Sequence, residues 1–524
     1  MNVSGLDGNS DSGRYWIFRE RQPLYMAVTH SRTSQTLLLI APPQRGLLEG
    51  FASGLISLGN FVQLHEPGMD IRMLDYSQSA PADIERKLRD EFATAGRTLI
   101  GITTTTASYF NGIQVARACR RVQPEAAVIL GGHHASSQDE VILRHHPEVD
   151  VVVRGEGEWA LLNLLRSYPA LSAVPGISYR SPFGIQRNPE APLLETETLD
   201  QLSPSFQSER LHGTPGKFDH ATYVSARGCP LRCAFCCVGN NRIRAKSIPA
   251  IVSDLRYLIG SLGHRRLAIE DNFFAHSARR TVELCSALED LQKEQAFSWD
   301  CQTRVESLRD PAVISAMERA GCEAVYIGVE ALSPEGLTYL GKTAQPEKYL
   351  STLTRDVLPR LMRSSMLAYI NLQFGLPVGD DQEQESLRIV SEIGSAAIAA
   401  GRQVTVFPQL HVVYPGTSHF AKFLEQGLFG PHGEAIFESF TAWEADQEPI
   451  LRWLGEHFAH GVGGIPIGIL RRPDLREGRF VIDAGAVNRI DRRLRAIAAV
   501  AGIRAFRYGE FLVKTNAAVS AQMV

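Results

Sequence analysis

Four of the eight cysteines of the chain lie within nine residues of one another. Cys229, Cys233 and Cys236 follow the spacing C-x3-C-x2-C, and Cys237 is adjacent to the last of them. Three thiolates from one short loop can bind three irons of a cubane cluster and leave the fourth iron open, whereas a fourth cysteine would close the cluster. An open iron can chelate the amino and carboxylate groups of a methionyl sulfonium compound. The alternatives are a zinc site, which needs a fourth nitrogen or sulfur ligand, and buried structural thiols.

Composition and charge narrow the class of protein. The 524 residues carry 54 basic and 57 acidic side chains, for a formal net charge of −3, and no basic stripe interleaved with aromatic residues. Nucleic acid is therefore not an expected partner. The apolar runs are far shorter than the roughly 18 residues that span a bilayer, so we expect no membrane association. The first 30 residues lack the apolar core of a secretory signal, which predicts a cytoplasmic protein whose crowded cysteines bind metal.

The residues ahead of the cysteines predict a domain of parallel strands. After an irregular arm over 1–33, apolar strands alternate with segments of helical periodicity across residues 34–168. The predicted strands are Thr36–Ile40, Ile71–Asp75, Leu99–Thr103, Ala127–Gly131 and Val149–Val153. This alternation predicts a doubly wound, Rossmann-like (flavodoxin-like) α/β domain. Its ligand crevice is expected at the carboxyl ends of the strands.

The cysteines themselves follow the first strand of a second series. Residues 169–220 are rich in Pro, Ser and Gly, and we interpret them as a linker with one strand pair. The predicted strands of the second series, over 221–424, are Ala221–Ala226, Leu267–Glu270, Phe297–Gln302, Ala324–Val329, Ala368–Phe374 and Gln403–His411. Six βα units predict a partial (β/α)6 TIM-type barrel, with its chemistry at the carboxyl rim of the strands. Residues 425–524 are mostly helical in pattern and predict a cap that shapes the substrate pocket.

The cysteine spacing, with Phe235 just before the third cysteine, resembles the radical SAM superfamily. The resemblance implies a [4Fe–4S] cluster on Cys229, Cys233 and Cys236, with S-adenosylmethionine (SAM) on the open iron. Cys237 is then the spare thiol. The resemblance also implies an external electron donor of the flavodoxin or ferredoxin type.

Polar residues at later strand ends extend this resemblance. Glu270 and Asp271 follow the second barrel strand, where the superfamily holds the SAM amine, and an anionic group there suits an ammonium. Arg304 follows the third strand, where a guanidinium could pair with the SAM carboxylate. Glu330 follows the fourth strand and looks like the residue that hydrogen-bonds the ribose hydroxyls. Taken singly, each of these could also be an ion-pair residue of the barrel mouth.

The order of the two domains resembles the cobalamin-binding radical SAM enzymes. Glycines and hydroxyls at the strand ends of the first domain suit a large, amide-decorated corrin ring. The candidate cobalamin-binding residues are Thr103, Thr104, Thr105, Gly131, Gly132, His134 and Glu156. The motif Asp-x-His-x-x-Gly, which supplies a cobalt-ligating histidine, is absent, so we expect no histidine on the lower face of the cobalt. The alternative is a related fold that binds nothing or a different nucleotide.

The resemblance implies methylation of an unactivated carbon on a small-molecule or natural-product substrate. It would proceed through a 5′-deoxyadenosyl radical and methylcobalamin, with the protein holding the cofactors and substrate in line. A second hypothesis keeps the cofactors but ends in cyclisation, rearrangement or oxidation without methyl transfer. A third, a non-catalytic cobalamin or iron–sulfur sensor, is disfavoured because a sensor needs neither an open iron nor carboxylates beside SAM.

Overall fold

A computed structural model of the chain describes residues 35–43 and 53–374, with gaps at 78, 80, 94–96, 107, 205–210 and 213–220. The described residues after 374 are 376, six positions within 386–396, and the ranges 404–410, 414–425, 470–474, 479–482 and 504–505. All of them belong to one compact unit, Ser34–Val524. The predicted arm over 1–33 lies outside the described residues, and so does the predicted helical cap apart from its short strands.

The first sheet is built on five parallel strands. They are β1 (Gln35–Ala41), β2 (Asp70–Asp75), β3 (Arg97–Thr103), β4 (Ala127–Gly131) and β5 (Val151–Val153), in the order β2-β1-β3-β4-β5. This is the flavodoxin order, and it confirms the predicted fold class. The strands are almost continuously buried because helices cover both faces of the sheet.

Six helices supply that cover. They are α1 (Ser53–His65), α2 (Pro81–Phe92), α3 (Tyr109–Val122), α4 (His133–Ser137), α5 (Asp139–His145) and α6 (Gly157–Ser167). Two separate apolar clusters, one on each face of the sheet, form the core. Because the five strands are parallel, their carboxyl ends lie along one edge, called here the ligand edge.

The segment predicted as a linker contributes to this first sheet. It forms β6 (Ile177–Ser181), β7 (Gly184–Arg187), α7 (Thr196–Gln201) and β8 (Leu211–His212). The hairpin of β6 and β7 extends the sheet antiparallel beyond β5, and β8 pairs with β2. Buried Arg154 helps to hold the hairpin by pairing with Glu190 at 2.5 Å. The sequence predicted one strand pair here, around Gly176–Tyr179, but not its pairing with β5, because pairing with a strand elsewhere in the chain leaves no local pattern.

The second sheet is the predicted partial barrel. Its six parallel strands are β9 (Ala221–Tyr223), β12 (Arg266–Ile269), β13 (Ser298–Thr303), β14 (Cys322–Glu330), β15 (Leu367–Phe374) and β16 (Val404–Leu410). They are adjacent in chain order, and β19 (Arg504–Ala505) pairs with β16. Two small antiparallel pairs accompany it, β10 (Ala226–Arg227) with β11 (Arg244–Ala245) and β17 (Leu470–Asp474) with β18 (Arg479–Ile482).

Helices pack outside the barrel strands. They are α8 (Ile248–Arg256), α9 (Ala278–Glu294), α10 (Pro311–Arg319), α11 (Pro334–Tyr339), α12 (Pro346–Ser351), α13 (Leu358–Leu361) and α14 (Ser418–Glu425). A 3₁₀ turn, Val305–Leu308, and two π-helical turns, Tyr257–Ser261 and Thr352–Val357, complete this layer. Ser247, Ser277, Asp310 and Ser333 cap helix amino termini as the sequence pattern favours. Within the described residues, none of the helices has the length and apolar character needed to cross a membrane.

Candidate cofactor site at the strand ends

The cysteines lie on a loop, residues 228–243, that connects β10 to β11, the two strands of a small antiparallel sheet. Gly228 begins the loop with φ 89°, and a Cβ there would overlap the carbonyl oxygen of Arg242. Only glycine fits a left-handed backbone at so close an approach. Within the loop, the Asn241 N–H donates to the Cys229 carbonyl at 2.9 Å. These contacts give the loop a defined shape.

Three thiols of this loop, those of Cys229, Cys233 and Cys236, are partly buried, and two of them have hydrogen-bond donors nearby. The Arg304 guanidinium donates from Nη1 to Cys233 Sγ at 3.4 Å. Burial raises the pKa of the Cys236 thiol above its usual value, and the backbone N–H groups of Val238 and Gly239 offset part of this rise. Cationic groups and N–H donors are what cluster-bound thiolates require. The loop therefore fits the predicted cluster.

The cysteines of such a cluster do not need to converge on one metal ion. The described residues contain no set of three His, Cys, Asp or Glu side chains that could hold one metal ion. Cubane thiolates bind different irons and do not converge on one point. Phe235 packs against the barrel core, and Cys237 is the exposed thiol of the loop.

The tight start of the loop gives a direct prediction. We expect Gly228→Ala to displace the loop and to lower the iron content of reconstituted protein severalfold, because the added methyl group meets the Arg242 carbonyl. Gly263→Ala is the matched control, since Gly263 also has positive φ, 78°, but open space around it. Iron analysis of both variants is the measurement, and equal iron contents would contradict the expected overlap.

Asp271 is hydrogen-bonded within the protein at the residues that precede the cysteine loop. It is 1% exposed, and its carboxylate accepts from Ser225 N at 2.6 Å, Ser225 Oγ at 2.5 Å and Ala226 N at 2.9 Å. Burial raises its pKa to about 6, against the effect of these donors. Asp271 thus fixes the chain just before the cysteine loop and has little capacity left for a ligand.

Glu270 is the better placed of the two carboxylates. Its neighbour Ile269 is buried against the outer helices, so strand alternation directs Glu270 to the interior of the barrel. Burial and the charge of Asp300 raise the pKa of Glu270 to about 6. Binding a cation there would lower that pKa again, which suits the predicted contact with an ammonium.

Glu330 is held in an uncommon conformation at the end of β14. Its φ of 74° is left-handed, and the pairing with β15 shifts register between Gly328 and Glu330. Its carboxylate accepts from Gln373 Nε2 at 2.8 Å and lies 3.5 Å from Lys342 Nζ. Strained backbone of this kind concentrates at functional sites.

Lys342 is a member of this group that sequence reasoning missed. It is 6% exposed, its Nζ faces Glu330, and its carbonyl accepts from Arg304 Nη2 at 2.5 Å. Burial lowers its pKa, while the charge of Glu330 raises it. The cysteine loop is joined to the same region, since Ala234 N donates to the Leu340 carbonyl at 2.8 Å. The sequence feature that could have indicated Lys342 is its position directly after Gly341, in a turn that follows a short helix.

The ligand edge of the first sheet is shaped by a close approach of two strand ends. Gly132 has φ 95°, and a Cβ there would overlap the Thr104 carbonyl oxygen. Thr104 is fully buried and bonds Gly131 O through both N and Oγ1, at 2.8 and 3.0 Å. Thr103 and Gly131 are half-buried and Thr105 is exposed. The edge therefore offers backbone and hydroxyl groups, as a corrin requires, with Thr104 supporting it from below.

His134 lies beneath this edge and not on it. It is 1% exposed, its ring stacks on Tyr109 at 4.1 Å between centroids, and Nδ1 lies 3.1 Å from Thr106 Oγ1. Burial lowers its pKa to about 3, so the ring stays neutral. In the structure His134 supports the threonine loop, and its contact with cobalamin stays a prediction.

Glu156 faces the barrel domain. Its carboxylate binds Arg244 in a bidentate pair at 2.5 and 2.8 Å, and Arg227 Nη1 lies 3.4 Å from Oε2. This ion pair joins the ligand edge to the base of the cysteine loop, and the contact of Glu156 with cobalamin stays a prediction.

Comparison with known families agrees with this division of the chain. Residues 54–165 match the family described as the B12 binding domain. Residues 223–362 match the Radical SAM superfamily. The two matched ranges correspond to the first sheet and to the barrel with its cysteine loop.

The chain resembles proteins that are named methyltransferases and one that is named a cyclase. An uncharacterized methyltransferase of Pyrococcus horikoshii is 25% identical over 60% of this chain and 70% of its own length. The anaerobic magnesium-protoporphyrin IX monomethyl ester cyclase of Rubrivivax gelatinosus is 26% identical over 52% of this chain and only 51% of its own length. Among solved structures, the radical SAM methyltransferase TsrM of Kitasatospora setae, with cobalamin and a [4Fe–4S] cluster bound, superposes with a TM-score of 0.60 at 17% identity, covering 76% of each chain. At that identity the likeness shows the fold.

Proposed function

We propose that this chain, which belongs to the cobalamin-binding radical SAM enzymes, methylates an unactivated carbon of a small-molecule substrate. The observation that carries the proposal is the attachment of the cysteine loop to the ligand edge of the B12-binding domain, through Arg244 and Glu156. A substrate between the two would meet both cofactors. When bound, the cluster would supply the electron that cleaves SAM, and cobalamin would supply the methyl group.

The barrel residues would bind and orient SAM. Cys229, Cys233 and Cys236 would hold the cluster and leave one iron without a protein ligand. Glu270 would accept from the SAM amine, and Glu330 would accept from the ribose hydroxyls. Arg304 donates to Cys233, to the Lys342 carbonyl and to Glu306. We assign it to holding the thiolate, and an N–H that these bonds leave over would donate to the SAM carboxylate. Such positioning is the main contribution a protein makes to this kind of reaction.

The first domain would hold the corrin at its ligand edge. The hydroxyls of Thr103 and Thr105 would donate hydrogen bonds to the amide side chains of the corrin. The Gly131–Gly132 backbone would allow the corrin to approach closely. His134 and Thr104 would keep this edge in shape from beneath.

An electron must come from outside the chain, and we expect a flavodoxin or ferredoxin to deliver it at the exposed face of the cysteine loop. Arg232 and Arg242 are exposed there, which suits an acidic donor. A cytoplasmic location fits such a donor, and all eight cysteines are unpaired, as is usual in a reducing compartment.

The cyclase of Rubrivivax gelatinosus supports a second candidate function, in which the same cofactors act without methyl transfer. That function would produce 5′-deoxyadenosine and no S-adenosylhomocysteine. The relative from Pyrococcus horikoshii, a methyltransferase by name, favours methylation.

Cobalt ligation tests the assignment of the first domain. The sequence lacks Asp-x-His-x-x-Gly, and His134 is buried under the ligand edge. We therefore expect cobalamin to bind with no histidine on its lower face. Paramagnetic resonance of the bound cobalt(II) form should show no splitting from an axial nitrogen. A clear single-nitrogen triplet would contradict this ligation, and protein with no affinity for cobalamin would contradict the domain assignment.

A further inference from the structure

Two arginines lie opposite one another at the base of the cysteine loop. Arg227 of β10 pairs directly with Arg244 of β11, and the loop with all three candidate ligands runs between them. Like charges directly opposite in an antiparallel pair repel each other. This two-stranded base, called here the arginine ribbon, therefore needs acidic partners to form.

Those partners come from the other cofactor domain. Glu158 Oε1 accepts from Arg227 Nη2 at 2.7 Å and from Ser57 Oγ at 2.7 Å, and Glu156 holds Arg244 in the bidentate pair described above. Glu156 and Glu158 flank the amino terminus of α6, where the helix dipole favours carboxylates. No acidic group of the barrel is paired with either arginine among the described contacts.

Each of these two ion pairs has one buried member, Glu158 in one and Arg244 in the other. Glu158 is 3% and Arg244 2% exposed. Burial raises the pKa of Glu158, but the Arg227 guanidinium outweighs it and holds that pKa below its usual value. Charges so enclosed tolerate little displacement, since separating them would leave an unpaired charge out of water.

A second contact joins the far part of the loop to the same domain. The backbone of Gly416 lies between Ser137 of α4 and Cys237, because a Cβ on it would be 2.9 Å from Ser137 Cβ and 3.4 Å from Cys237 Cβ. The loop is thus held against the B12-binding domain at its base and near its third candidate ligand. Two separate contacts fix the orientation of the loop against this domain, whereas a single contact would let the loop rotate about it.

We propose that the arginine ribbon and its two glutamates set the distance between the cluster and the corrin. Arg227, Arg244, Glu156 and Glu158 are then positioning residues, which act through the loop and the ligand edge without touching substrate. This inference rests on the proposed function. Its physical reason is that the substrate carbon must reach the SAM-derived radical and the methyl group from one bound pose, so a small displacement of one cofactor uncouples the two steps.

The test is the distance between the two cofactors in Glu158→Ala and Arg244→Met. Full-length protein is reconstituted with the cluster and cobalamin, and pulsed dipolar spectroscopy measures the reduced cluster against the cobalt(II). We expect one narrow distance distribution in the parent and its loss in both variants, with iron and cobalamin contents unchanged. Arg244→Lys keeps the charge and should recover part of the narrow distribution.

The matched control is Arg166→Ala. Arg166 pairs with Glu66 at 2.8 Å inside the first domain, away from the loop, and its loss should leave the distance unchanged. If Glu158→Ala does not fold, Glu158→Gln keeps the shape and removes the charge, and it decides the question. Parent-like distributions in the variants would overturn this inference and leave the proposed function standing. A parent that binds no cobalamin would overturn the proposed function itself.

Discussion

Cys229→Ala, Cys233→Ala and Cys236→Ala are each expected to abolish reductive cleavage of SAM, while Cys237→Ala retains it. Each of the first three changes removes a ligand that the cubane cannot replace, since a cluster on two thiolates loses its defined open iron. Cys237 is exposed, whereas Cys229, Cys233 and Cys236 are partly buried. The measurements are iron content, about four irons per chain in the parent, and 5′-deoxyadenosine formed after anaerobic reduction.

Cys237→Ala is the internal control for this series, because it removes a neighbouring thiol from the same loop. Loss of the cluster in Cys237→Ala with retention in Cys236→Ala would show that the third ligand has been assigned to the wrong cysteine. Retention of cleavage in Cys229→Ala or Cys233→Ala would contradict the cluster site altogether.

Glu330→Ala should raise the SAM dissociation constant by about one to two decades. A hydrogen bond to a charged carboxylate contributes about 1.5–3 kcal/mol, and 1.4 kcal/mol is about a tenfold change in affinity. Lys342 and Gln373 hold the carboxylate in place, so little reorganisation is needed before the ribose binds. Equilibrium titration of SAM into the reconstituted variant is the measurement.

The control is Glu323→Ala. Glu323 is exposed at the opposite end of the same strand, where it pairs with Arg266 at 3.7 Å, so its loss should leave SAM binding unchanged. Cobalamin affinity should stay at the parent value in both variants, because Glu330 lies on the barrel sheet. Parent-like SAM binding in Glu330→Ala would reduce Glu330 to an ion-pair residue of the barrel mouth.

The strands of both sheets were predictable because their burial follows a local pattern. Leu37–Ile40 and Ala127–Gly131 are short apolar runs between helical segments, and such runs form buried parallel strands. The cysteine loop was predictable for a different reason, since its chemistry depends on residue type and spacing within one short segment. For the hairpin of β6 and β7, where three of nine side chains are exposed and the alternation is weak, the sequence predicted a strand pair but not its place in the first sheet.

The roles of charged residues were less predictable, because they depend on contacts between distant parts of the chain. Asp271 and Glu270 are adjacent in sequence, yet only Asp271 meets the N–H groups of Ser225 and Ala226, over 40 residues away. Glu156 lies at a strand end like a ligand-binding residue, but its partner Arg244 is 88 positions further on. No sequence pattern within either domain could reveal a pair that forms between two domains.

The fate of SAM in protein with and without cobalamin tests the central claim most directly. Cluster-reconstituted protein is incubated with SAM and a strong reductant, and both products are measured. We expect 5′-deoxyadenosine in both preparations, because cleavage needs only the barrel residues, and S-adenosylhomocysteine only in the preparation that holds cobalamin. Cobalamin-loaded protein that forms 5′-deoxyadenosine but no S-adenosylhomocysteine, with candidate substrates present, would contradict a methyltransferase and favour the cyclase-type reaction.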